Sequence, residues 1–123
     1  MAVVVDASAV AAVVFGEPGH DAVARQPKGQ AMHAPTLIDY ELASVTMKKL
    51  RRVPANADAL LAALHTVRRV RIRRVQPDIV QVLALAVATG LTACDASYLW
   101  VSKSLGLRLV TLDRELAKAA ERL

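Results

Sequence analysis

Apolar and polar positions along the chain change period every ten residues or so. The first run, AVVVD (residues 2–6), is valine-rich and unbroken, which predicts a strand buried on both faces that ends on a carboxylate. ASAVAAVVF then takes up helical spacing and stops at Gly16, Pro18 and Gly19. HDAVARQ predicts one or two further helical turns before Pro27 and Gly29, and AMHA (31–34) is a short strand candidate. Pro35 opens TLIDYELASVTMKKLRR, read as a helix with Pro in its first turn and basic residues in its last. After Pro54, ANADALLAALHTVRR repeats apolar residues at three- and four-residue spacing. VRIRRV alternates instead, and predicts a strand at a sheet edge because Arg71 and Arg73 need water. Pro77 opens the helix PDIVQVLALAVAT, ending at Gly90. ACDASYLWVSKSL is a further helix ending at Gly106, LRLVT (107–111) the last strand, and DRELAKAAERL the closing helix.

Strands separated by helices imply an α/β fold with a parallel sheet covered on both faces. In such sheets function gathers at the carboxyl ends of the strands, where Asp6 and Asp113 both fall. No repeat or linker divides the chain, so residues 1–123 are expected to form a single domain. With 54% apolar but only 3% aromatic residues, Ala, Val and Leu must fill the core and leave apolar helix faces for a partner. Cys94 is the one cysteine, which excludes an intrachain disulfide; a lone small thiol of this kind is expected as core filler. The apolar N-terminus lacks a basic leader, and the stretch IVQVLALAVATGLTA is interrupted by Gln81 and Gly90. Neither a signal peptide nor a membrane span is expected, and the protein is read as soluble and cytoplasmic.

Four acidic residues stand out. Asp6 and Asp113 occupy strand-to-helix switches, where a carboxylate serves equally as a helix N-cap or as a reacting group. Glu41 has Leu37, Ile38, Ser44 and Val45 one turn away, so it rides on or beside an apolar stripe, where an unpaired carboxylate is costly to desolvate. Asp95 suits the first turn of its helix, yet its one-turn neighbours Leu91, Tyr98 and Leu99 are apolar or aromatic. Four carboxylates in one pocket could not all stay ionised without a cation. Mg²⁺ or Mn²⁺ supplies that charge, takes oxygen ligands, and can activate water for attack on a phosphodiester. His20, His33 and His65 are too scattered to form a competing metal set, and no phosphate-binding glycine loop occurs.

The net charge of +5 favours a polyanionic partner. Of the sixteen Lys and Arg residues, nine fall in two clusters: Lys48, Lys49, Arg51 and Arg52 at a helix end, and Arg68, Arg69, Arg71, Arg73 and Arg74 around the edge strand. These serve either as helix-end and edge-strand charges or as phosphate contacts for a nucleic acid held by its backbone. Aromatic residues are too few for a base-stacking platform.

VVVDASA, IDYELAS and TACDASYLWVSKSLGLRLVTLDREL together resemble the PIN-domain ribonucleases, specifically the VapC-type toxins of bacterial toxin–antitoxin pairs. The resemblance covers nearly the whole chain and implies a three-layer α/β/α sandwich with a central parallel sheet of four or five strands. It places the family's acidic quartet on Asp6, Glu41, Asp95 and Asp113, with Ser8 and Thr111 at the hydroxyl positions that orient carboxylates or metal-bound waters. Asp6, Asp95 and Asp113 would hold Mg²⁺ or Mn²⁺. It further implies endonucleolytic hydrolysis of RNA, a homodimer, an antitoxin whose C-terminal tail blocks the site, and growth arrest through blocked translation. Cys94 and Trp100 depart from the residues usual at their positions without touching the quartet. Three other readings stay open: a phosphoacceptor receiver domain, which wants paired acids and a final-strand lysine that this chain lacks; a DNA-directed nuclease; and an interaction module whose carboxylates are only caps.

Overall fold

A computed structural model describes residues 1–122; Leu123, the last residue of the predicted closing helix, lies outside the described residues. The chain runs β1 (Ala2–Val5), α1 (Ala7–Phe15), α2 (His20–Arg25), β2 (Ala31–Pro35), α3 (Ile38–Arg52), α4 (Ala57–Thr66), β3 (Ile72–Val75), α5 (Ile79–Thr89), α6 (Ala93–Leu105), β4 (Arg108–Val110) and α7 (Arg114–Arg122). The four strands form one parallel sheet in the order β3-β2-β1-β4. α1 packs with α2, α3 and α4, whereas α6 lies on β1, β2 and β4 and carries α5 and α7. The result is the three-layer α/β/α sandwich, and β3 is an edge strand as expected.

Val3, Val4 and Val5 are at most 2% exposed, because a central parallel strand is covered on both faces. Val110, Ile38, Leu42, Tyr98, Leu99 and Leu116 close around them. α6 begins at Ala93 and ends before Gly106 because Thr92 accepts the Asp95 backbone N–H at its start, and Gly106 takes the left-handed conformation (φ 64°) that terminates it.

Several boundaries differ from those predicted. Pro35 does not open α3; it is the last residue of β2, paired with Val75, and Thr36 extends the ladder by donating its N–H to the Val75 carbonyl. A terminal strand position suits proline because its fixed φ is extended and its missing N–H goes unneeded. α3 then starts at Ile38. The helix predicted from residue 55 is shorter, with 3₁₀ turns at Pro54–Asn56 and Val67–Arg69 flanking α4. The strands predicted over 70–75 and 107–111 are trimmed to Ile72–Val75 and Arg108–Val110.

No single helix among the described residues is long and apolar enough to cross a membrane; α5 and α6 reach the length only together, and they meet at 107°. The topology itself locates a crevice. From β1 the chain leaves through α1 toward β2 on one side, while from β4 it leaves through α7 on the other. Between the carboxyl ends of β1 and β4 the connections therefore diverge, the place where parallel α/β sheets bind ligands.

Candidate active site

Asp6 follows β1 immediately and caps α1. Its Oδ1 accepts the Ala9 backbone N–H at 2.9 Å and the Ser8 hydroxyl at 2.7 Å, and its Oδ2 accepts the Thr111 hydroxyl across the β1/β4 crevice. The residue is 4% exposed. Thr111 Oγ also accepts the Asp113 backbone N–H at 2.9 Å, and Ser8 Oγ accepts that of Leu112 at 3.0 Å, so the two hydroxyls tie α1 to the β4–α7 turn. Asp113 in turn caps α7 by accepting the Leu116 N–H at 3.1 Å. The capping role and a place in the crevice are thus compatible at both positions.

Glu41 comes from the first turn of α3 and is half-buried. Its Oε1 accepts the hydroxyl of Tyr98 at 2.5 Å, from α6 on the other side of the sheet. Asp95 lies in the first turn of α6. One open cleft of about 510 Å³ is lined by Asp6, Glu41, Asp95 and Asp113 together with Ser8, Tyr98, Cys94 and Lys48. The four acids, drawn from four separate elements, do meet.

Burial pushes the carboxyl of Asp6 above its ordinary value, with Asp113 adding to the rise against the pull of its three hydrogen bonds. Glu41 is raised chiefly by burial and further by Asp95 and Asp6, while its bond from Tyr98 works the other way. Asp95 is raised by burial and by Asp113. These groups repel one another, and Lys48 is the only basic side chain among the lining residues. The donor set is all oxygen, which fits a hard divalent cation such as Mg²⁺ or Mn²⁺. As the side chains stand, no three His, Cys, Asp or Glu groups among the described residues form a ready coordination set.

The basic residues divide. Lys48 lines the cleft. Lys49 instead pairs with Glu17 at 3.6 Å and lies 5.1 Å above the Phe15 ring, Arg51 is exposed, and Arg52 edges a separate small hollow beside Lys49. Arg71 and Arg73 line another hollow of about 620 Å³ with Arg68 and Arg74, beside Gln30, Ala31 and Met32 at the start of β2. That hollow is at the sheet's edge, apart from the acid cleft. Arg74 is neutralised there by a bidentate bond to Asp39 at 2.8 and 2.6 Å.

Cys94 is not core filler: it is exposed on the cleft wall, because the start of α6 projects toward the crevice. Trp100 bridges outward, its indole N–H donating to Gln81 Oε1 on α5 at 2.8 Å. Sequence reasoning missed the Tyr98–Glu41 bond. Its signal was the three-residue spacing from Asp95, which puts both side chains on one face of α6.

Comparison with known proteins agrees with this geometry. Residues 3–122 match the PIN domain family. Ribonuclease VapC3 of Pyrobaculum aerophilum is 31% identical over 123 aligned residues, 96% of this chain and 94% of the relative. Ribonuclease VapC9 of Mycobacterium tuberculosis is 32% identical over 97% of this chain and 91% of its own. The crystal structure of PAE2754 from Pyrobaculum aerophilum superposes with a TM-score of 0.81 at 30% identity, covering 98% of this chain and 86% of that one. The chain belongs to the PIN-domain family, within its VapC branch.

Proposed function

We propose that the protein is a metal-dependent endoribonuclease, a single PIN domain acting as the toxin of a toxin–antitoxin pair in the cytoplasm. The observation that carries the reading is the cleft in which Asp6, Glu41, Asp95 and Asp113 converge, three of them held above their ordinary pKa. Relatives named as ribonucleases add the substrate class.

Asp6, Asp95 and Asp113 would hold the cation, directly or through water, and Glu41 would bind it or orient the attacking water. A bound Mg²⁺ or Mn²⁺ supplies the positive charge that polarises the phosphodiester and makes water a nucleophile near neutral pH. Ser8 and Thr111 fix Asp6 by donating to its two oxygens. Lys48, inside the cleft, offers a cation to a backbone phosphate beside the scissile bond, and Lys49, Arg51, Arg52, Arg71 and Arg73 extend the positive field that draws RNA in. The bound antitoxin would lay its C-terminal tail over the same cleft, shutting off cleavage and relieving the block on translation.

A homodimer belongs to the same reading. Ile79, Val80, Leu83 and Val87 form a stripe along α5 that is 61% to 78% exposed, while Val82 and Ala86 on the opposite side pack against Ala96. An apolar patch of this kind marks an interaction surface.

The deciding experiment is cleavage of linear and circular RNA, and of matched DNA, with Mg²⁺, Mn²⁺ or EDTA, beside Asp6→Ala. Metal-dependent opening of the circle, lost in the variant, is the expected result. Equal cleavage by the variant sinks the site, degradation of linear RNA with the circle left intact sinks the endonuclease assignment, and preference for DNA favours the DNA-directed reading.

A further inference from the structure

Tyr98 is 1% exposed, its ring packed in the core, and its hydroxyl reaches the wall of the acid cleft. A phenylalanine would fill the same apolar space, so packing alone does not call for the oxygen. That oxygen stands at a junction. It donates to Glu41 Oε1 at 2.5 Å, a length in keeping with a charge-assisted bond.

Glu41 needs such a partner. Its side chain is long and flexible, and among the described residues it makes no other side-chain hydrogen bond or ion pair. It is also the one member of the quartet that does not belong to the β1/β4 crevice or to α6; it comes from α3, which follows β2. Asp6, by contrast, is held by three hydrogen bonds.

We propose that Tyr98 is a positioning residue, its hydroxyl holding the Glu41 carboxylate in one rotamer at the cleft and so registering α3 against α6. Oε1 is claimed by the phenol and Oε2 is left for whatever the cleft binds. The inference rests on the cleft being the site of metal-dependent RNA cleavage.

The test is Tyr98→Phe, alone and combined with Glu41→Gln, in the whole protein. Three quantities are read: the thermal melt, the Mn²⁺ dissociation constant by electron paramagnetic resonance, and kcat and KM for RNA. Removing a residue that orients a metal-site carboxylate costs about tenfold or more in metal affinity or activity. The expected result is a melt lowered only modestly, Mn²⁺ affinity and kcat both lowered about tenfold, and KM for RNA within twofold. Because Tyr98 acts through Glu41, the substitution adds no further loss in the Glu41→Gln background. Wild-type Mn²⁺ affinity and kcat in Tyr98→Phe would overturn the proposal, as would equal losses in both backgrounds, which would mark a general structural role. Should the wild type cut no RNA, the nuclease reading fails separately and the Mn²⁺ comparison still decides the part played by Tyr98.

Discussion

At Thr111 a single hydroxyl meets two demands, donating to Asp6 and accepting the Asp113 N–H. Valine has the same shape and neither capacity, so Thr111→Val leaves a buried carboxylate oxygen and a backbone donor short of partners. The expected cost is about 1–3 kcal/mol by urea denaturation; a loss within error would mean that water replaces the hydroxyl freely. A pH effect follows from the same group of residues. Burial holds Asp6, Glu41 and Asp95 above their ordinary values, so over the window between the ordinary and the raised value the folded chain keeps protons that the unfolded chain has released. Their contribution to stability is full below that window and is lost as pH rises through it. Asp39 runs the other way, since Arg74 lowers its carboxyl, but that pair is half-exposed and screened. In EDTA the melting temperature is therefore expected to be higher at the acid end of that window than above it. Mg²⁺ at the higher pH should narrow the gap. A gap that persists unchanged in Asp6→Asn/Glu41→Gln would assign it to other groups.

Among the helices, α6 bears most of the site's architecture: it presents Asp95 and Tyr98 to the cleft and buries Leu99 and Val101 against the sheet. Leu99 is 1% exposed, so Leu99→Ala is expected to cost about 2–5 kcal/mol through the cavity it leaves, and to lower RNA cleavage only as the folded fraction falls. Activity lost ahead of stability would show that α6 has shifted within the fold. The end of this helix was legible in the chain, because Gly106 is a strong local stop signal, and the start read at Ala93 is fixed in the structure by the Thr92 cap. The start of α3 was not. Proline suits the first turn of a helix and the last position of a strand equally, and the pairing of Pro35 with Val75, forty residues on, decides between them. The ends of β3 and β4 were misplaced for a related reason: a strand ends where its neighbour stops pairing.

For the molecule as a whole, the exposed stripe on α5 and the separated charges set how it meets partners. Val87→Lys places a charge at the most exposed position of that stripe and is expected to give a monomer by light scattering at about tens of micromolar, while leaving the thermal melt of the monomer intact. A wild type already monomeric under those conditions would remove the dimer from the proposal. The charges also part company: Lys48 faces the acids, whereas Arg68, Arg71 and Arg73 gather at the sheet's far edge. Their clustering in sequence said nothing about that division, since a helix end and a strand edge point wherever the packing turns them.

What the amino-acid sequence determined alone was the succession of strands and helices, the parallel sheet it implies, and the placing of Asp6 and Asp113 just beyond strand ends. Those features depend on period, on caps and on short-range geometry, all carried by neighbouring residues. Only the tertiary structure decided that Glu41, from the element after β2, shares a cleft with Asp95 and with the two strand-end acids. It also decided that Tyr98 bonds Glu41 across 57 positions of chain, that Cys94 faces solvent, and that Arg74 is spent on Asp39. Each of these is a meeting of groups remote in sequence, and such meetings are set by how the helices pack on the sheet.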